Sequence, residues 1–166
     1  MKDWTDLDEK SITWKAPPGE PGEPDATLFR LRARMVSEGS TEEPLCVGDD
    51  LWLKIKVYAR GGENKVHAHP NQDHAFIVLH GQARFFDMSG ETRDLGVHEG
   101  IMLPAGRHYK FGSVGDEPLV VLRAGAVKAG QNVDLRSEDG GPAVPRRTRG
   151  QIFISDDVEY RDDYYE

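Results

Sequence analysis

The six histidines of this chain are the residues whose type and spacing most clearly suggest a chemical function. His67 and His69 are two residues apart in a strand-like segment, so both imidazoles leave the same face of the strand. His74 begins the next strand-like segment, and His108 follows a turn that begins at Pro104. Neutral imidazole is a common ligand of transition-metal ions. These four histidines together therefore predict a metal site.

The segments that must position these histidines have a period of two residues. Apolar and polar side chains alternate over residues 28–36 and again over 51–59, which indicates strands with one apolar face. Residues 74–87 are predicted to form a hairpin that turns at Gly81, and further strand-like segments cover 100–112, 117–126 and 151–155. No long segment outside the acidic ends has a helical stripe. Many short strands joined by Gly and Pro turns predict an all-β fold, either a sandwich or a small barrel.

Residues 51–125 resemble the cupin superfamily, whose members are small jelly-roll β-barrels with a metal ion on inward-facing side chains. The first motif of that superfamily is Gly, five residues, His-x-His, four residues, Glu, six residues, Gly. Every interval of this motif is kept here, over Gly61, His67, His69, position 74 and Gly81. The chain departs from the motif at position 74, which is His where the superfamily commonly has Glu.

A second cupin motif consists of a Pro-x-Gly turn, two residues and a histidine. We align it with Pro104, Gly106 and His108. The resemblance therefore implies a single cupin-type jelly-roll β-barrel in which His67, His69 and His108 are metal ligands. The implied cofactor is one divalent transition metal ion, because a nitrogen-rich site accepts Fe, Ni, Zn, Mn, Co or Cu.

The resemblance leaves two interpretations of His74. It is either a fourth nitrogen ligand in the place of the carboxylate, or it is unbound and leaves a three-histidine face like that of some cupin dioxygenases. We favour the fourth ligand, because the interval is unchanged and imidazole is a competent donor. Asp73 is the candidate to orient a ligand histidine through a hydrogen bond.

Strand alternation predicts two residues of a substrate pocket. Phe76 is two residues beyond His74, and Lys110 is two residues beyond His108, so each should lie on the same face as its histidine. Phe76 is expected either as a pocket wall or as part of the core. A buried Lys110 ammonium needs a partner, which an anionic substrate could supply, whereas a lysine at the barrel mouth would reach water along its stem.

The composition suggests one domain with extensions at both ends. We divide the chain into an extended N-terminal arm (1–27), the barrel (28–126), a C-terminal extension with a late strand (127–154) and an acidic tail (155–166). The like charges of the tail predict that it contributes little to the metal site, although Tyr160, Tyr164 and Tyr165 could attach it to the barrel.

The alternating strand over residues 28–36 predicts a homodimer. It lies ahead of the barrel motifs, where cupins that this chain resembles often lend a strand to the sheet of a partner. Without such a partner, an edge strand leaves its backbone donors unpaired and open to aggregation.

Charge and hydropathy exclude several classes of partner. The formal net charge is −8, and the acidic residues are concentrated at the two ends, so the folded part lacks the basic stripe of a nucleic-acid-binding protein. No apolar segment is long enough to cross a membrane, and the first residues do not form an apolar leader. Cys46 is the single cysteine, which precludes an intrachain disulfide and fits a cytoplasmic protein.

These features predict a metal-dependent cupin that acts on a small oxygen-bearing molecule. The chemistry expected is either dioxygenase-like or that of an isomerase or cyclase in which the metal polarises the substrate. The alternative is a non-catalytic module that binds or senses a small molecule through its metal. The residues do not decide between an enzyme and a binding module, because one fold hosts many chemistries.

Overall fold

The computed structural model describes residues 11–15, 22–60, 64–128, 131, 134–145 and 149–166. Gly61 of the first motif and most of the predicted N-terminal arm lie outside these residues. The described residues contain no helix, and so none that is long and apolar enough to cross a membrane. The prediction of an all-β fold is confirmed.

The described part of the chain forms sixteen strands. They are β1 (Ser11–Trp14), β2 (Ala26–Phe29), β3 (Ala33–Glu38), β4 (Ser40–Val47), β5 (Leu51–Tyr58), β6 (His67–Ala68), β7 (Gln72–His80), β8 (Ala83–Phe86), β9 (Thr92–Leu95), β10 (Gly100–Leu103), β11 (Lys110–Ser113), β12 (Leu119–Val127), β13 (Leu135–Glu138), β14 (Val144–Pro145), β15 (Phe153–Ile154) and β16 (Glu159–Tyr165).

A six-stranded antiparallel sheet forms the main wall of the jelly-roll barrel. Its strand order is β10-β7-β12-β5-β4-β15, and a three-stranded sheet with the order β11-β8-β9 faces it. Another three-stranded sheet, β14-β13-β6, brings the C-terminal extension against the segment of His67. The strands β1 and β2 pair with each other, as do β3 and β16.

Gly81 turns the chain from one sheet to the other. It has a positive φ of 73°, and a Cβ atom there would lie 2.5 Å from the carbonyl oxygen of Pro118, so glycine is required. The turn lies where the sequence predicts it. The flanking strands do not form the predicted hairpin, however, because β7 pairs with β10 and β12 whereas β8 pairs with β9 and β11.

Two hydrophobic clusters pack on opposite faces of the six-stranded sheet. The interior cluster joins the two barrel walls and includes the rings of Phe76 and Phe85, whose centroids are 5.5 Å apart. The outer cluster packs Ile55 and Val57 of β5 against Met35 of β3. The alternation of β5 therefore sends its aliphatic side chains outward, and its lysines face the inside of the barrel.

The acidic tail predicted over residues 155–166 contributes a strand to this outer layer. β16 pairs with β3, and the Arg34 Nε donates a hydrogen bond of 2.9 Å to the carbonyl oxygen of Arg161. The guanidinium of Arg32 lies 3.9 Å from the ring centroid of Tyr164.

The strand predicted over 28–36 is divided between β2 and β3, and β3 has its partner within the chain. The homodimer stays a prediction, but an unpaired edge strand over 28–36 no longer supports it.

Candidate functional site

Three of the four predicted histidines lie together inside the barrel. His67 and His69 enter from β6 and the turn that follows it, and His74 enters from β7. The ring centroids of His67 and His69 are 5.1 Å apart, and those of His69 and His74 are 4.3 Å apart. All three side chains are at least 95% buried. Burial lowers the pKa of His67 to about 2 and that of His69 to about 4, and it holds the pKa of His74 well below its usual value, so all three are neutral at pH 7.

Hydrogen bonds fix the orientation of the first two rings. The Nδ1 of His67 lies 2.7 Å from the carbonyl oxygen of Lys65, and the Nδ1 of His69 lies 3.0 Å from an Asp134 carboxylate oxygen. Because these partners only accept, each Nδ1 carries the proton and each Nε2 keeps a free lone pair. Gln72 donates to the same Asp134 oxygen at 2.6 Å, which holds the carboxylate in place.

The guanidinium of Arg123 lies between two of the histidines. Its Nη2 is 3.3 Å from the Nε2 of His69 and 3.1 Å from the Nδ1 of His74. Since arginine only donates hydrogen bonds, both imidazoles are acceptors. The Arg123 Cζ also lies 4.9 Å from the ring centroid of Trp52 and 5.6 Å from that of Phe76, within the range of cation–π attraction.

A buried carboxylate holds three cations beside the histidines. Glu42 accepts hydrogen bonds of 2.6 Å from Lys54 and 3.3 Å from Arg123, and the Nζ of Lys56 lies 2.6 Å from its second oxygen. Burial acts to raise the pKa of Glu42, but the charges of Lys56, Arg123 and Lys54 hold it well below its usual value. Burial lowers the pKa of both lysines, and the Glu42 charge opposes that effect.

His67 and His69, together with the charged groups around Glu42, line a cavity of about 420 Å³ inside the barrel. Its cationic lining residues are Lys54, Lys56, Lys65, Arg123 and Arg136, and its acidic ones are Glu42, Asp134 and Glu138. Because the histidines are neutral, the lining has an excess of two positive charges. Two phenol groups, Tyr58 and Tyr109, complete the polar surface.

His108 lies outside this cavity. It lines a separate cavity of about 370 Å³ with Phe86 and Met102. Tyr109 takes the inward position, with its ring centroid 4.5 Å from that of His67 and its hydroxyl 3.5 Å from the Nδ1 of His74. Only Arg107 separates Gly106 from His108, so the two-residue interval of the second motif ends at Tyr109.

The other predicted site residues have different positions. The Nζ of Lys110 lies 4.8 Å from the ring centroid of Phe86, and Lys110 does not line the histidine cavity. Its position follows from that of His108, because alternation places residues 108 and 110 on the same face. Asp73 is exposed and accepts a hydrogen bond of 2.8 Å from the Ala105 backbone N–H, so it holds the Pro104 turn and Asp134 orients the histidine. Phe76 lies 6.4 Å from His74 between ring centroids and packs in the interior cluster.

The divalent metal expected from the sequence does not fit these residues as they are arranged. Within the described ranges no group of three His, Cys, Asp or Glu side chains is placed to hold a metal ion. The lone pairs of His69 and His74 already face the Arg123 guanidinium. At an effective dielectric constant of about 20, a divalent ion about 4 Å from a guanidinium is repelled by about 8 kcal/mol. Burial raises the pKa of Tyr109, so its phenol stays protonated and is a poor ligand.

Comparison with known proteins identifies the fold. Residues 55–124 match the family described as Cupin domain. The cupin domain of Cnp3 from Schizosaccharomyces pombe is similar in structure, with a TM-score of 0.60 and 14% identity over 72% of this chain and 89% of that chain. The protein TT1209 from Thermus thermophilus has a TM-score of 0.52 and 21% identity over 57% of this chain and 90% of that chain. No curated protein sequence matches the chain.

Proposed function

Because residues 55–124 match the Cupin domain family, we propose that the barrel binds a small oxygen-bearing molecule that carries negative charge. The observation that carries this proposal is the charge inside the barrel. Three buried cations, those of Lys54, Lys56 and Arg123, share the single carboxylate of Glu42. Buried charge is costly unless it is paired, and an anionic ligand would supply the missing countercharge.

The hydrogen-bonding capacity of the cavity favours a ligand rich in oxygen. Lysine and arginine side chains only donate hydrogen bonds, and carboxylate oxygens are their preferred acceptors. The Nε of Arg123 is buried and has no hydrogen-bond partner among the described residues. A cavity of about 420 Å³ lies in the size range of small-molecule sites and is small for a peptide.

Paired ligands that differ in charge test this proposal. We expect succinate, glutarate or citrate to raise the melting temperature saturably, whereas succinamide and glutaramide should not. In calorimetric titrations Lys56→Met should weaken binding of the best carboxylate by about tenfold or more. Lys110→Met is the matched control and should leave binding unchanged, because Lys110 lies outside the cavity. Equal stabilisation by the amides, or equal weakening by both variants, would contradict the proposal.

Catalysis is the second candidate, favoured by the contact between Tyr109 and His74. A neutral buried imidazole beside a phenol is a pair that can accept and donate a proton. The chemistry expected from the sequence is dioxygenase-like, isomerase-like or cyclase-like with a metal, and a binding or sensing module is its non-catalytic counterpart. Product analysis of the best ligand with and without oxygen, in EDTA or with added Fe²⁺ or Zn²⁺, separates them. Binding without turnover under every condition would leave the binding module.

A further inference from the structure

We propose that the guanidinium of Arg123 takes the place of the metal ion in this barrel. His69 and His74 then serve as hydrogen-bond acceptors of this guanidinium, and His67 and His69 serve as walls of the cavity. This inference concerns the chain's own side chains and is independent of which molecule the cavity binds.

The position of Arg123 is set by its strand. Arg123 lies at the middle of β12 and pairs with Lys54 of β5 and Phe76 of β7, so its side chain enters the barrel between the two strands. Its neighbours in the sequence, Leu122 and Ala124, face the opposite side because residues alternate along a strand. The guanidinium therefore reaches the histidines from the centre of the main wall.

An aromatic platform keeps the guanidinium in place. Trp52 lies beside Arg123 and donates a hydrogen bond of 2.9 Å from Nε1 to Gln72. The space for the indole is created by Gly125, where a Cβ atom would lie 2.0 Å from the Trp52 ring. The attraction between a cation and an aromatic face depends on this close placement.

A metal ion at this point would have to displace Arg123 from several partners. It contacts His69 and His74 through Nη2 and Glu42 through Nη1. The two imidazoles are neutral acceptors, and Glu42 supplies the negative charge that the guanidinium needs in the interior. A metal ion at the same point would require Arg123 to leave all three partners and the face of Trp52.

The histidine orientation makes the proposal testable. In metal sites a carboxylate commonly receives the Nδ1 proton of a histidine and turns its Nε2 towards the metal. Asp134 holds His69 in this way, but the Nε2 faces Arg123. Removal of the guanidinium should therefore expose lone pairs that are already oriented, and a metal site should appear.

A cobalt titration of the full-length chain without an affinity tag measures whether a metal site appears when the guanidinium is removed. The wild-type protein, cleared of metal with EDTA, should show no stoichiometric Co²⁺ absorption. Arg123→Ala should bind one Co²⁺ per chain, with an affinity higher by about 100-fold or more once the cation repulsion is gone. The double variant Arg123→Ala with His69→Ala should lose the gain. Lys56→Ala is the control, because it also removes a cation from Glu42, and within the described part of the chain the Lys56 ammonium has no hydrogen bond to a histidine.

Several outcomes would overturn the proposal. Stoichiometric Co²⁺ binding by the wild-type chain that disappears in His67→Ala would do so, as would a folded Arg123→Ala variant without any gain. An equal gain in Lys56→Ala would show that general charge, and not the position of the guanidinium, excludes the metal. If Arg123→Ala does not fold, the wild-type histidine side-chain NMR signals decide. They should be unchanged by Zn²⁺, and shifts confined to His67, His69 and His74 would refute the proposal.

Discussion

The two faces of strand β5 differ in chemistry, because one carries aliphatic side chains and the other carries lysines. Ile55 and Val57 point outward and are covered by β3 in an aliphatic layer. Lys54 and Lys56 point inward and are also buried, but they are held by the carboxylate of Glu42. An alternating strand normally has its apolar face on the core and its polar face in water. Here both faces are covered, and the polar face is the one that lines the cavity.

This difference separates the face that stabilises the fold from the face that forms the cavity. The outer layer gains stability from apolar area removed from water, and such a layer tolerates small changes of side chain. The inner layer depends on a balance of charges, in which loss of one partner leaves others buried without compensation. Substitutions on the two faces should therefore differ in size, in pH dependence and in their effect on ligand binding.

The largest expected effect is that of Glu42→Gln, which leaves three buried cations without their carboxylate. We expect the free energy of unfolding in urea at pH 7 to fall by about 3–5 kcal/mol. Ile55→Val on the outer face should cost only about 0.5–1.5 kcal/mol.

The deficit of Glu42→Gln should also depend on pH. Because the folded-state pKa of Glu42 is lowered, its contribution is present above the unfolded-state value of about 4.3 and is lost as the pH falls through the folded-state value. An equal loss of unfolding free energy in Glu42→Gln and Ile55→Val would contradict the contrast between the two faces.

The next effect comes from the buried neutral histidines. The pKa of His69 is about 4 in the folded chain and about 6.5 when unfolded, so between these values the unfolded chain binds more protons. The free energy of unfolding should thus fall as the pH drops from 6.5 to 4, by about 3 kcal/mol from His69 alone. Urea titrations across this range measure the slope, which should flatten in His69→Gln. An unchanged slope in that variant would place the titration elsewhere.

A smaller effect is expected for Gly125→Ala, which tests the platform under Arg123. The added Cβ meets the Trp52 ring, so the indole must move. Such overpacking costs about 1–3 kcal/mol, and carboxylate binding should weaken because the guanidinium loses its support. Ala126→Ser, at an exposed position of the same strand, is the matched control and should change neither quantity. Thermal unfolding and calorimetric titration give both readouts.

The sequence predicts several strands of the barrel walls, including β5, β7 and β12, but not which of their faces is inside. The alternation over 51–59 identifies β5, yet it cannot tell that the lysine face is the interior, since burial there depends on Glu42 from β4. A single charged residue, Arg123, within the apolar run of β12 is the signal that could have located the site.

Other parts of the site depend on long-range contacts that no local pattern contains. Asp134 reaches His69 because β13 pairs with β6, and the polar sequence of β13 has no clear strand period. β16 consists largely of charged residues and tyrosine, so its sequence does not predict a strand, whereas pairing with β3 places its tyrosines against arginines. The inward position of Tyr109, by contrast, can be predicted from the second motif alone, because its two-residue interval after Gly106 ends at Tyr109.

The smallest expected effect concerns the outermost layer, where Tyr164 of β16 stacks on Arg32. The stack is partly exposed, and an exposed cation–π pair contributes about 0.5–1 kcal/mol. Tyr164→Ala should lower the free energy of unfolding by that amount, and Tyr164→Phe should keep most of it because the ring face remains. Arg32 retains its ion pair with Glu166 at 2.9 Å, which limits the loss. Carboxylate binding should be identical in both variants, since this layer lies behind the sheet. A change in binding affinity, measured by calorimetry, would show that the outer layer and the cavity are coupled.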